Sequence, residues 1–515
     1  MQRAALVVLL AVAGGSTLIA QSGPARGALL SQADRRESTR RLLSLLRETD
    51  PASSDGLYEA QQEGMALAAA VFTFGTPQEQ DTVLAAAAAQ VRMLPTAGQL
   101  ADSSVVSASI GAIELLSPAL TKLRQRIGAL GFSVDGVALP RAGPSRVRRV
   151  WPILVGGKIN VLSEVEMQYA YLLSTMVRLA TEHPLPASQR ESAARRSSLN
   201  TLFDFLLHDK VRFYWAEAPA WHWSGPFPNM RERVRTKLAY SDPRVTRPRW
   251  FGAIVDHELH LFAVAADLIA ATRADPRLAA RTAPADAAML GDIRATTLLM
   301  LHARVSDGPR QSGFLFDYGY WTDNPSYGYA GCASSHPLPL VPCPVPIVAT
   351  DVSHARRWPW WLASFQAAWP PGSPARAEME GYTRRLAAQF ADVVLRADPE
   401  GRPLTSNYMD GRDGWYHYRD FPGQLGGFGP TSLTGSLRYG SWALLGVWRP
   451  EIAAAHLRLC ALLVSTEPAD VIFRTRYYGS ASADPALAGL GDRDLYGPGS
   501  LYALTCRIGS ALGYY

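Results

Sequence analysis

From about residue 34 to residue 310 apolar residues recur at helical spacing in one segment after another, while strand signals are few. A chain patterned this way has to bury many helical stripes against one another, which confines it to helix-on-helix architectures. The pattern predicts helices near 34–48, 78–93, 108–130, 163–182, 187–209, 250–274 and 284–304. Further helices follow near 353–369, 374–397, 438–448, 450–465 and 499–512, roughly a dozen in all. Two starts carry their own caps: Thr76 followed by Pro77 and Glu79, and Ser188 with Glu191 three residues on. No short-period repeat is present, which argues against a solenoid. Long aromatic, Gly-rich loops at 215–230, 311–345 and 404–436 are more than a plain bundle needs. The expectation is therefore an all-α chain, an (α/α) toroid whose long loops line the mouth of a central cleft.

The chain opens Met1, Gln2, Arg3 and then AALVVLLAVAGGSTLIA, a basic start and short apolar core that match an export signal or anchor over 1–25. Residues 26–515 are expected to form a single helical domain in a secreted or periplasmic, monomeric protein, with no other membrane association. The four cysteines, Cys332, Cys343, Cys460 and Cys506, suit two disulfides in an oxidising compartment, Cys332 with Cys343 around a Pro-rich loop and Cys460 with Cys506. Their irregular spacing does not suggest zinc, and no metal or other cofactor is expected.

The net charge of +6 comes from 51 basic and 45 acidic residues, with the arginines scattered rather than gathered into tracts, which argues against nucleic acid. The 13 Trp and 20 Tyr exceed what a core needs and point to a binding cleft for a polysaccharide or oligosaccharide. Trp221 and His222, between Trp215 and Trp223 on a Pro-punctuated segment, suit stacking on sugar rings. In the helix IVDHELHLF, Asp256 and His260 share a face, but the HELH spacing is not that of a zincin. The loop GFLFDYGYWTDNPSYGYAG carries Asp317, Trp321, Asp323, Asn324, Tyr327 and Tyr329 among glycines, better material for a site than for a regular element. In DVSHARRW, Asp351 can cap a helix while His354 and Arg356 or Arg357 project into the cleft. A further loop supplies Asn407, Tyr408, Asp410 and His417 as a second wall.

Three of these stretches in order, Glu258-Leu259, then Asp317 through Tyr327-Gly328, then His354-Ala355-Arg356, resemble the helical-toroid polysaccharide lyases of the hyaluronate and chondroitin AC lyase family. The loop departs from that family in having Asp323 or Asn324 near the place of its His, and no C-terminal run of strands follows. Alginate lyases built from a toroid alone are similar in layout. The resemblance implies β-elimination at a uronic acid. Tyr327 or Tyr329 would act as acid and base, His354 as another base candidate, and Asn324 or Asn407 with Arg356 as the carboxylate clamp. Trp221 and Trp321 would stack on neighbouring sugars, with His222, Asp323, Tyr408 and His417 as further binding residues. Two other readings stay open: an inverting glycoside hydrolase using carboxylates among Asp317, Asp323, Asp351 and Asp410, and a glycan-binding protein without catalysis.

Overall fold

Apolar side chains from Leu30 to Tyr514 meet in one contiguous core in the computed structural model. The structure describes residues 30–48, 54–102, 144–155, 158–161, 163–184, 191–222, 225–308, 313–335, 341–418, 427–478 and 496–515. The export segment and the helix expected near 108–130 lie outside the described residues. The helices are α1 (Gln32–Glu48), α2 (Ser54–Phe74), α3 (Pro77–Met93), α4 (Ala97–Asp102), α5 (Ser163–Glu182) and α6 (Ala193–Asp204). They continue with α7 (Met230–Ala239), α8 (Asp256–Ala274), α9 (Pro276–Arg281), α10 (Pro284–Arg304), α11 (Val352–Ala355) and α12 (Trp358–Ala367). The last are α13 (Pro374–Gln389), α14 (Pro450–Val464), α15 (Pro468–Tyr477) and α16 (Leu501–Ala511). Described strands form only two-stranded antiparallel hairpins: β1 (Ile153–Val155) with β2 (Lys158–Asn160), β3 (Ala220–His222) with β4 (Gly225–Phe227), β5 (Val305–Ser306) with β6 (Leu315–Phe316), and β7 (Leu395–Ala397) with β8 (Pro403–Thr405). The chain is thus mostly helical, as the pattern predicts.

Several boundaries follow from local chemistry. Thr76 and Glu79 close the predicted capping box, Thr76 N donating to Glu79 Oε2 at 2.7 Å and Glu79 N to Thr76 Oγ1 at 3.3 Å. Ser188 lies outside the described residues, and the helix expected from 187 starts instead at Ala193, because Ser192 Oγ accepts from Arg195 N at 2.9 Å. The helix expected over 438–448 is two 3₁₀ turns, Ser432–Tyr439 and Trp442–Val447, broken at Gly440 with φ 75°. The one expected over 374–397 ends as α-helix at Gln389, passes through a π turn and enters β7.

Packing runs in a closed circuit: α2 on α5, α5 on α8, α8 on α12, α12 on the Trp442–Val447 turn, that turn on α14, α14 on α16, and α16 back on α2. Helix α5 is buried without interruption from Val165 to Thr181, so it is enclosed on every side rather than amphipathic. Several of its polar groups find partners on α8. Asp267 of α8 accepts from Ser174 Oγ at 2.8 Å, Thr175 Oγ1 at 3.0 Å and Arg178 Nε at 2.6 Å. Close approach of α2 to α5 needs Gly64, where a Cβ would sit 2.7 Å from the Leu172 side chain.

Both expected disulfides are present, Cys332–Cys343 and Cys460–Cys506. The second closes a separation of 46 residues and ties α16 to α14. By chain-entropy reasoning the Cys460→Ser, Cys506→Ser double variant should lose about 4 kcal/mol of stability, read as a lower denaturation midpoint in non-reducing urea. Among the described residues no helix is long and apolar enough to cross a membrane.

Candidate functional site

Two loops and a short helix are stitched together at Asp351. Val352 N donates to Asn407 O at 2.8 Å and Met409 N to Thr350 O at 3.0 Å, so the 406–409 segment runs antiparallel to the entry of α11. Gly414 lets the same loop touch the Tyr327 loop, since a Cβ there would overlap the carbonyl oxygen of Ala330. The Asn407 amide is fully engaged by backbone, donating to Gly414 O at 2.9 Å and Gly429 O at 2.7 Å and accepting from Leu433 N at 3.1 Å. Asn324 Oδ1 accepts from Ser326 N at 2.9 Å and so caps the 3₁₀ turn Pro325–Tyr327 that delivers Tyr327. His417, in the left-handed region at φ 61°, donates from its backbone to Ser326 O at 2.8 Å and stacks on Tyr416.

At the centre stands a hydrogen-bonded triad in which Asp351 and Tyr327 are buried and His354 is partly exposed. Asp351 Oδ1 caps α11, accepting from Ser353 N at 3.0 Å and His354 N at 3.1 Å, as the sequence predicts. Its Oδ2 accepts from Tyr327 Oη at 2.9 Å and from His354 Nδ1 at 2.7 Å. Burial works against charge on His354, but Asp351 outweighs it and holds the imidazole pKa up at about 9. Asp351 is lowered in turn: burial pushes its carboxyl up, and the charge and hydrogen bonds of His354 more than offset that. His354 is therefore an imidazolium at neutral pH, with its side chain 41% exposed and Nε2 bonded to no described protein group. Burial and the neighbouring Asp351 raise the Tyr327 phenol well above its ordinary value, so Tyr327 stays protonated.

Beside the triad lies a cationic cluster that reaches α2. Arg357 donates to Asp256 of α8, and its Nη2 donates to Tyr58 Oη at 2.5 Å. Arg356 is only 8% exposed, yet among the described residues its guanidinium donates no hydrogen bond and faces no carboxylate. Its visible contact is with the Tyr439 ring, 4.0 Å below the guanidinium carbon. A buried guanidinium normally has acceptors, which sets Arg356 apart from Arg357 beside it.

The remaining expected site residues divide sharply. Trp321 is half-buried and stacks on Tyr327 with centroids 5.6 Å apart, which keeps it at the site. Tyr408 is buried and donates to Trp415 O at 2.7 Å, a brace rather than a substrate contact. Tyr329 packs edge-on against Tyr418 in a satellite cluster with the Cys332–Cys343 disulfide. Asp323 is at the surface, accepting from Arg249 N at 2.9 Å. The backbone of Trp221 and His222 forms β3 opposite Pro226 and Gly225; their side chains, and Trp223 altogether, lie outside the described residues.

Three aspartates with expected chemical roles are tied into the protein. Asp317 is fully buried, accepting from Arg304 Nη1 at 3.0 Å and Ile254 N at 2.7 Å; burial pushes its carboxyl up to about 6 against Arg304. Asp410 accepts from Ala349 N at 3.2 Å and from its own turn at Arg412 N, 3.1 Å. Asp351 is the cap described above. His260 is also interior, packed by Tyr171 and Trp361, and burial lowers its pKa to about 3. Sequence reading missed Tyr58 and Tyr439, which sit in no motif; only their convergence on Arg357 and Arg356 marks them. Among the described residues no group of His, Cys, Asp and Glu could hold a metal ion.

The arrangement can hold an anionic group at Arg356, offer a proton from His354, and do so beside stacked aromatic rings. Compared with protein-family models, with curated proteins and with solved structures, the chain matches none of them.

Proposed function

We propose that this protein is an exported polysaccharide lyase that cleaves a uronate-containing glycan by β-elimination. The observation that carries the reading is Arg356, a buried guanidinium that faces no carboxylate among the described residues, beside the imidazolium of His354. In elimination a base takes the proton α to the uronate carboxylate, negative charge grows on that carboxylate, and the leaving oxygen needs a proton. Arg356 answers the second requirement and His354 Nε2–H the third. Trp321, half-buried and stacked on Tyr327, is positioned for a sugar face. The (α/α) toroid belongs to the same reading, supported by the circuit of helix contacts that returns from α16 to α2. Export is supported by the basic-then-apolar N-terminus and by two disulfides, which persist in oxidising compartments.

An inverting hydrolase needs two carboxylates facing a glycosidic bond across a water. Asp317, Asp351 and Asp410 are each held by protein donors, which weighs towards elimination. The test is to incubate the purified protein with acidic polysaccharides and follow ultraviolet absorbance of the conjugated unsaturated uronate. A rise abolished in His354→Ala supports elimination. New reducing ends without a rise would move the case to hydrolysis.

The pH profile carries a further prediction. A proton-donating His354 is competent below its pKa of about 9 and lost above it, so the alkaline limb of kcat/KM should fall near pH 9. Asp351→Asn removes the carboxylate that raises the imidazole. The limb should then move towards the ordinary histidine value of about 6.5. An unmoved limb would show that His354 does not set it.

A further inference from the structure

We propose that Tyr58, on α2, is the catalytic base of this site; the proposal rests on the elimination reading above. Its Oη accepts from Arg357 Nη2 at 2.5 Å, and the Arg357 guanidinium carbon lies 5.2 Å from the ring centroid. Arg357 cannot drift away, because Asp256 holds its other arm and the side chain is buried. The cations of Arg356 and His354 act on the same phenol. A phenol surrounded on this side by three cations gains stability as a phenolate, which is what proton abstraction from a weakly acidic carbon requires.

The other phenols at the site lack this setting. Tyr327 donates its proton to Asp351, a carboxylate, so ionising it would place two negative charges in contact. Tyr329 lies with Tyr418 and the disulfide. Burial alone would raise Tyr58 as it raises Tyr327, but Arg357, then Arg356 and His354, outweigh it and bring Tyr58 below its ordinary value. Tyr58 is half-buried, and its phenol is close enough to Arg356 for the guanidinium charge to act on it.

Tyr58 phenolate takes the proton α to the uronate carboxylate, and the C–H electron pair becomes the new carbon–carbon double bond. The bond from the β carbon to the glycosidic oxygen breaks, its electrons leaving on that oxygen, which takes the proton from His354 Nε2. Tyr58 and His354 are both left neutral. One proton passing from Tyr58 to His354 through water restores the starting state, so no oxidant or metal is consumed.

The test uses the full chain in two measurements. In an ultraviolet difference titration against Tyr58→Phe, the wild type should show one phenolate forming below the ordinary phenol value of about 10. On an acidic polymer that the wild type cleaves, Tyr58→Phe should lose about 10²–10⁴-fold in kcat with KM little changed, and its thermal midpoint should stay close to wild type. A wild type that cleaves by elimination while Tyr58→Phe keeps activity within about tenfold would overturn the Tyr58 assignment and leave the elimination reading intact. Absence of the early-ionising phenolate would overturn it without reference to any variant's folding. A wild type that forms no unsaturated product would remove the elimination reading itself.

Discussion

Glu258→Ala is expected to cost about 3–5 kcal/mol of global stability, the usual penalty for stranding buried charge. Glu258 is fully enclosed and accepts from Arg233 Nε at 2.9 Å, Lys237 Nζ at 2.9 Å and Val255 N at 2.8 Å. One carboxylate thus neutralises two cations from α7 and caps α8 at once. Burial already lowers Lys237 to about 8; without Glu258 it should shed its proton at still lower pH, and Arg233 would lose this carboxylate. Burial pushes the Glu258 carboxyl up, but Lys237 and Arg233 outweigh it and leave it below its ordinary value. This contribution is therefore present above the unfolded-state carboxyl pKa and lost as pH falls through the folded one. Urea denaturation at neutral pH reads the effect directly. A loss under about 1 kcal/mol would mean that the network is not sealed from water.

Arg356→Ala should act on turnover and spare the fold. A guanidinium that stabilises charge developing on the substrate contributes about 10²–10³-fold in kcat, as an oxyanion-hole donor does. Within the protein it gives up its contact with the Tyr439 ring, on the order of 1 kcal/mol. Arg356→Lys should recover only part of the activity, since an ammonium cannot present the planar fork to a carboxylate. Arg357→Ala is the contrasting variant: it strands Asp256 and removes a donor to Tyr58, so both stability and activity should fall. Equal stability losses in the two variants, with activity tracking stability, would show Arg356 to be a packing residue.

Two of the helices that the sequence announced have ends legible in it. Thr76, Pro77 and Glu79 start α3 as read, and α10 spans the expected 284–304. Helix α2, with buried residues from Leu57 through Phe72, was not among those announced. Nor was helix α7: MRERVRTKLA reads as a solvated charged segment, yet Arg233 and Lys237 point inward to Glu258. Charge in a sequence says nothing of whether a partner waits in the core.

The site was legible where it is local. Asp351 capping α11 and presenting His354 follows from three residues of spacing, and the Tyr327 loop is conspicuous in composition. Direction was not legible. Asn407, Tyr408, Asp317 and Asp410 have the residue types of a site, but their polar atoms turn to backbone and buried arginine. His354 was open to reading as a base; its partner Asp351 raises the imidazole pKa, which the sequence alone does not show. Tyr58 lies 299 positions before Arg357, a pairing that only the fold brings about.

The most direct test of the central claim is the mass of products released from an acidic polysaccharide in oxygen-18 water. Elimination adds no water across the broken bond, so the account predicts unsaturated products whose new ends carry no label fixed during cleavage. Saturated products, each heavier by one labelled water, would contradict it and identify the reaction as hydrolysis.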